Sequence, residues 1–119
     1  MLNRQRKLMQ DRQALVSELP PLEEMVRGSL LTRYRRCGKP NCHCVKTRGH
    51  GPAHYLVVTH RRGKTEQILL SADMVAVARQ YLENYKRWRS VLEKVSNCNR
   101  QLLRMRAPEL LEKPERDRS

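Results

Sequence analysis

The chain contains no phenylalanine, a single tryptophan and four tyrosines among its 119 residues. An aromatic-filled core is therefore excluded. Hydrophobic residues make up 39% of the chain and charged residues 31%, so the core is modest. A core of that size usually needs a metal, a disulfide or a partner chain. No apolar run approaches the length needed to span a bilayer. The start Met-Leu-Asn-Arg-Gln-Arg-Lys has no apolar stretch behind it, which excludes a secretory signal. These absences predict a cytoplasmic protein with no membrane partner. Thiols stay reduced in that compartment, so clustered cysteines read as ligands and not as disulfides.

Acidic groups are also scarce, 12 against 25 Lys and Arg. Outside the C-terminal tail they are scattered and include Glu23, Glu24, Glu66, Asp73 and Glu83. No carboxylates pair up to hold Mg²⁺ for a nuclease. There is no Ser-His-Asp set, no phosphate-binding glycine loop and no internal repeat. The expectation is that the chain is not an enzyme and has no catalytic residues.

What is present is positive charge. The net charge is +13 with a pI near 10.4, and every segment before the tail carries an excess of Lys and Arg. Such a field attracts a polyanion, and nucleic acid is the commonest one.

The pattern along the chain is α+β: an N-terminal helix, a small antiparallel β-sheet with a zinc knuckle, and a long C-terminal coiled-coil-like helix. The N-terminal helix occupies 1–19. Leu8, Leu15 and Leu22 recur by seven, as do Leu2, Met9 and Val16, and Pro20-Pro21 ends the helix. The zinc-knuckle β module occupies 27–71. Residues 29–37 read as extended, with Leu30, Thr32 and Tyr34 on one side and Arg33 and Arg35 on the other. His54 to His60 is a β-branched, apolar strand. Arg61-Arg62-Gly63-Lys64 is a basic turn, and Thr65 to Leu70 returns. Ser71 is placed to cap the long helix of 72–106, with Asp73 in its first turn. That helix would extend roughly 50 Å. Tyr81, Trp88, Val95 and Leu102 form one heptad series; Ala78, Tyr85, Leu92 and Asn99 form the other. Asn99 would set register or partner number. The first helix is too short to cover this seam, which predicts a homodimer through the long helix, or antiparallel packing of the first helix on part of it. Cys98 reads as a small core residue. Residues 107–119 read as a disordered charged tail.

The chemistry sits in Cys37-Gly-Lys-Pro-Asn-Cys42-His-Cys44-Val-Lys-Thr-Arg-Gly-His50-Gly-Pro. Zinc takes four thiolate or imidazole ligands in a tetrahedron. Gly38, Pro40 and Asn41 provide the sharp turn that lets three thiols converge. The expected ligands are Cys37, Cys42, Cys44 and His50, with His54 and His43 as other candidates for the fourth place. A closed four-ligand site leaves no position for substrate, so Zn²⁺ is read as structural. The expected nucleic-acid contacts are Arg33, Arg35 and Arg36, then Lys39, Lys46 and Arg48 in the knuckle, and Arg61, Arg62 and Lys64 at the turn. Tyr34 and Tyr55 are read as packing in the small sheet, with base stacking as the alternative role.

The runs Arg27-Gly-Ser-Leu30, Arg33-Tyr-Arg-Arg-Cys-Gly-Lys-Pro-Asn-Cys-His-Cys44 and His50-Gly-Pro52 resemble a bacterial family of small basic proteins, catalogued only as a domain of unknown function and often encoded beside mobile-element genes. The resemblance covers about residues 27–105. In the family an aromatic residue usually follows His-Gly-Pro; here Ala53 and His54 precede Tyr55. The resemblance implies a link to transposition or recombination. The expected function is a zinc-stabilised nucleic-acid-binding accessory protein, DNA being favoured. The alternative is an assembly subunit that binds a transposase or recombinase through its long helix.

Overall fold

The computed structural model describes residues 2–36, 38–41 and 49–111. The element order is α1 (Leu2–Ser17), β1 (Ser29–Arg35), β2 (His50–Thr59), a 3₁₀ turn (Arg61–Gly63), β3 (Thr65–Leu70), α2 (Ala72–Arg104) and a last 3₁₀ turn (Pro108–Leu111). The architecture is α+β, as the hydrophobic periods require. The chain forms two compact units, Glu23–Tyr85 and the described parts of Met1–Leu22 with Lys86–Ser119. The long helix α2 contributes residues to both units.

In the unit Glu23–Tyr85, the three strands pair antiparallel in the order β1-β2-β3. The register sets Leu30 opposite Leu56 and Leu56 opposite Ile68. Directly opposed residues share a face. The inner face holds Leu56 and Val58, which are buried with Leu82 of α2, and Val26, Leu30 and Leu70 pack around them. Each of the three buried side chains contributes roughly 1.5–3 kcal/mol. Two bonds to α2 fasten the segment entering β1: the Val26 amide donates to the Tyr81 carbonyl at 3.2 Å, and Asn84 Nδ2 donates to the Glu24 carbonyl at 2.7 Å.

Ser71 precedes α2, but its hydroxyl caps no amide. It donates to Asp73 Oδ1 at 2.5 Å. The Asp73 carboxyl is held below its ordinary value by this hydroxyl and by the backbone amides of Asp73 and Met74. The Met74 amide donates to the Ser71 carbonyl at 2.9 Å, the first turn of the helix.

In the other unit, α1 lies antiparallel to the second half of α2. Arg4 bonds Gln101, Arg12 bonds Asn99 and Glu18 pairs with Arg87. The Trp88 indole N–H donates to the Pro20 carbonyl at 3.1 Å. Val91, Cys98 and Leu102 are buried. One expected seam series holds, with Trp88 and Val95 half-buried and Leu102 fully buried. The second series holds at Ala78, which is buried, and Tyr85, which is half-buried, and is corrected beyond them: Leu92 is 61% exposed, and its neighbour Val91 takes the inward place at 3%. Cys98, not Asn99, fills the next inward place. Asn99 is half-buried and accepts from Arg12 Nη1 at 2.8 Å, so its polar contact is within the chain. In α1, Val16 is 47% exposed and lies off the stripe, and Leu22 beyond it is exposed too. Because α1 already buries this part of the seam, an uncovered seam no longer argues for a homodimer. The tail expectation also shifts. Ala107 is buried and Pro108–Leu111 makes a 3₁₀ turn, because Ala107 donates back to the Leu102 carbonyl and closes the helix end. Residues 112–119 lie outside the described residues.

Candidate nucleic-acid interface and metal knuckle

The β1–β2 pair closes the knuckle loop. Arg33 stands opposite Ala53, while Arg35 stands opposite His50. Two steps along β1 thus match three along β2, a bulge at the His-Gly-Pro turn. Glycine is required here. Gly49 has φ +109°, and a Cβ on it would sit 2.7 Å from the Arg35 carbonyl oxygen; Gly51 has φ +142°, and a Cβ would sit 2.9 Å from the Arg33 carbonyl oxygen.

The bulge has a chemical consequence. In a regular strand His50 and His54, four residues apart, would share a face. The extra residue turns His50 to the face of Arg33 and Arg35, because opposed residues point the same way. His54 stays on the inner-face side, opposite Thr32, with its Nδ1 3.2 Å from the Thr32 hydroxyl. The two candidates for the fourth zinc ligand therefore lie on opposite faces. Cys37, Cys42, Cys44 and His43 lie outside the described residues, as do Lys46 and Arg48. Among the described residues no group of three His, Cys, Asp or Glu side chains could hold a metal. The pairing sets His50 opposite Arg35, two residues before Cys37 in the sequence.

On the outer face, Arg33, Arg35, His50, Gly51, Ala53 and Tyr55 line a concavity of about 380 Å³. The Arg33 guanidinium lies over the Tyr55 ring, 5.4 Å from its centroid, a diagonal cross-strand cation–π contact. Tyr55 is half-buried and lies on the face away from the core formed by Leu56, Val58 and Leu82. Tyr34 is 38% exposed. Arg36 and Lys39 are exposed beyond the end of β1.

Arg61, Arg62 and Lys64 are exposed at the opposite end of the sheet. From Ala53 to Thr59 the strand covers about 20 Å, so the basic residues form two groups and not one patch. Arg62 has φ +66°, the left-handed conformation of the turn. His60 Nε2 lies 2.8 Å from Glu66 Oε1, and the His60 amide donates to the Lys64 carbonyl. Arg27 joins the turn end, beyond the contacts expected from the sequence. Its Nη1 donates to the Thr59 carbonyl at 2.9 Å and adds a charge to the turn end. Arg27 opens the Arg27-Gly-Ser-Leu30 run, and its place beside Thr59 follows from the pairing of β1 with β2 just after it.

No curated protein and no solved structure matches the chain. A family match begins in α1 and stops in the first half of α2, so it includes the N-terminal helix that the motif resemblance left out and lacks the later part of α2. Spanning residues 3–80, it covers well over half of the chain, which therefore belongs to the family described as a domain of unknown function (DUF6788).

Proposed function

We propose that this chain is a zinc-stabilised nucleic-acid-binding accessory protein, DNA-associated and linked to a mobile element. The observation that carries the reading is the outer-face concavity, where Arg33 and Arg35 flank Tyr55 beside His50. Arg33, held over the Tyr55 ring, and Arg35 on the same face of β1 present charge to phosphate. The net charge of +13 supplies the long-range attraction. Zn²⁺ held by Cys37, Cys42, Cys44 and His50 would tie β1 to β2 and keep this charged face in one arrangement. The mobile-element link rests on the motif resemblance alone.

The test is titration of labelled DNA with the purified, reduced protein over a range of salt, together with metal analysis. About one equivalent of zinc is expected. Affinity should fall steeply with salt, and Arg33→Ala with Arg35→Ala should lower the salt slope by roughly 1.5 to 2. Cys42→Ser should lose zinc and weaken binding. Native protein without zinc, or Cys42→Ser that folds and binds like the native chain, would remove the metal from the account. A second reading, an assembly subunit, draws on the exposed Leu92 and Leu103 of α2. It requires DNA binding only when a recombinase or transposase is added.

A further inference from the structure

The outer face of the sheet carries more than charge. The register sets Leu31 opposite Tyr55 and Tyr55 opposite Leu69, so these three form one row across all three strands. They point away from the core, which lies under Leu56 and Val58 on the other face. Leu31 is 37% exposed and Leu69 66%. The solvated face of an antiparallel sheet is ordinarily polar. Here an apolar and aromatic row crosses its middle, with Arg33 and Arg35 alongside.

We propose that this face is a stacking platform for single-stranded DNA, with unpaired bases seated on Leu31, Tyr55 and Leu69 and the backbone held by Arg33 and Arg35. The proposal rests on the nucleic-acid-binding reading and narrows it. Duplex DNA hides the faces of its bases and would offer the apolar row only sugar and phosphate. A single strand exposes base planes that bury such a row. An apolar protein surface would cover the row but leave both arginines without anionic partners, whereas a polyanion satisfies them. The size agrees: three strands place the row across about 10 Å, enough for two or three splayed bases. Arg33 over Tyr55 adds a guanidinium plane on which a base also stacks.

The experiment uses the full chain with zinc under reducing conditions. Fluorescence anisotropy follows oligo-dT, oligo-rU and a duplex, each of about 15 nucleotides or base pairs, at one salt concentration. Oligo-dT should bind at least about tenfold more tightly than duplex. Tyr55→Leu should weaken oligo-dT by about 5- to 100-fold, the range expected for one lost stacking contact, and weaken duplex by less. Tyr55→Phe should bind like the native chain. Leu69→Ser changes an exposed position and so should not compromise folding; it should weaken oligo-dT by a few-fold at least. Equal affinity for oligo-dT and duplex would overturn the platform and leave the general nucleic-acid reading standing, as would folded Tyr55→Leu and Leu69→Ser proteins that bind oligo-dT normally. If Tyr55→Leu does not fold, Leu69→Ser decides. Tighter binding of oligo-rU than oligo-dT would overturn the assignment to DNA. Failure to bind any of the three would overturn both readings.

Discussion

Val91 and Leu92 are neighbours on α2, and truncating each to alanine separates two accounts of the helical hairpin. Heptad spacing alone puts Leu92 in the seam. The fold puts Val91 there at 3% exposure and leaves Leu92 at 61%. Val91→Ala removes two buried methyl groups, about 0.8 kcal/mol each in transfer, and a residual cavity adds to this. The expected loss is roughly 2–3 kcal/mol. Against a total stability of about 5–15 kcal/mol that is a large fraction, and it should lower Tm by about 8–15 °C. Leu92→Ala should change stability by no more than about 0.5 kcal/mol, because little area is lost and alanine is at least as good a helix former. The assay is urea unfolding followed by far-ultraviolet circular dichroism and by Trp88 fluorescence, repeated over a range of protein concentration. A larger loss for Leu92→Ala than for Val91→Ala would refute the packing described. So would a midpoint that rises with concentration together with a costly Leu92→Ala, since the seam would then lie between chains.

Trp88→Phe removes the indole donor to the Pro20 carbonyl and should cost about 1 kcal/mol in thermal or urea unfolding. Gly49→Ala forces a side chain into a positive φ and against the Arg35 carbonyl; about 2 kcal/mol or more should be lost, with faster amide exchange at the paired ends of β1 and β2. Ser71→Ala should raise the Asp73 pKa toward its ordinary value, read by NMR titration. The sign follows from the lowered folded value: the Asp73 contribution is present above the ordinary aspartate range and is lost as pH falls through the folded pKa. The stability difference between Ser71→Ala and the native chain should therefore vanish in strong acid, and a difference that persists there would discount the carboxylate as its source.

Much of the fold follows from local chemistry. Pro20-Pro21 cannot continue α1, and the expected return strand Thr65–Leu70 is the observed one. Apolar alternation in β1 and β2 sorted Leu30 from Arg33 correctly, because side chains alternate whatever packs above them. The positive charge and the cysteine spacing are likewise properties of the chain alone. Two things were decided only when elements met. On α2 a heptad series drifts by about 20° per repeat against the 3.6-residue period, so the spacing alone does not say which of the neighbours Val91 and Leu92 meets a partner element. Contact with α1 selected Val91 and Cys98. In β2 the strand begins at His50, not His54, and the bulge opposite Arg35 sends His50 to the outer face. No period-2 pattern foretells that, since the extra residue exists only relative to a partner strand. The basic, aromatic and cysteine residue types of the candidate site are therefore written in the sequence, whereas the pairing of β1 with β2 decides that Arg33, Arg35, His50 and Tyr55 share one surface.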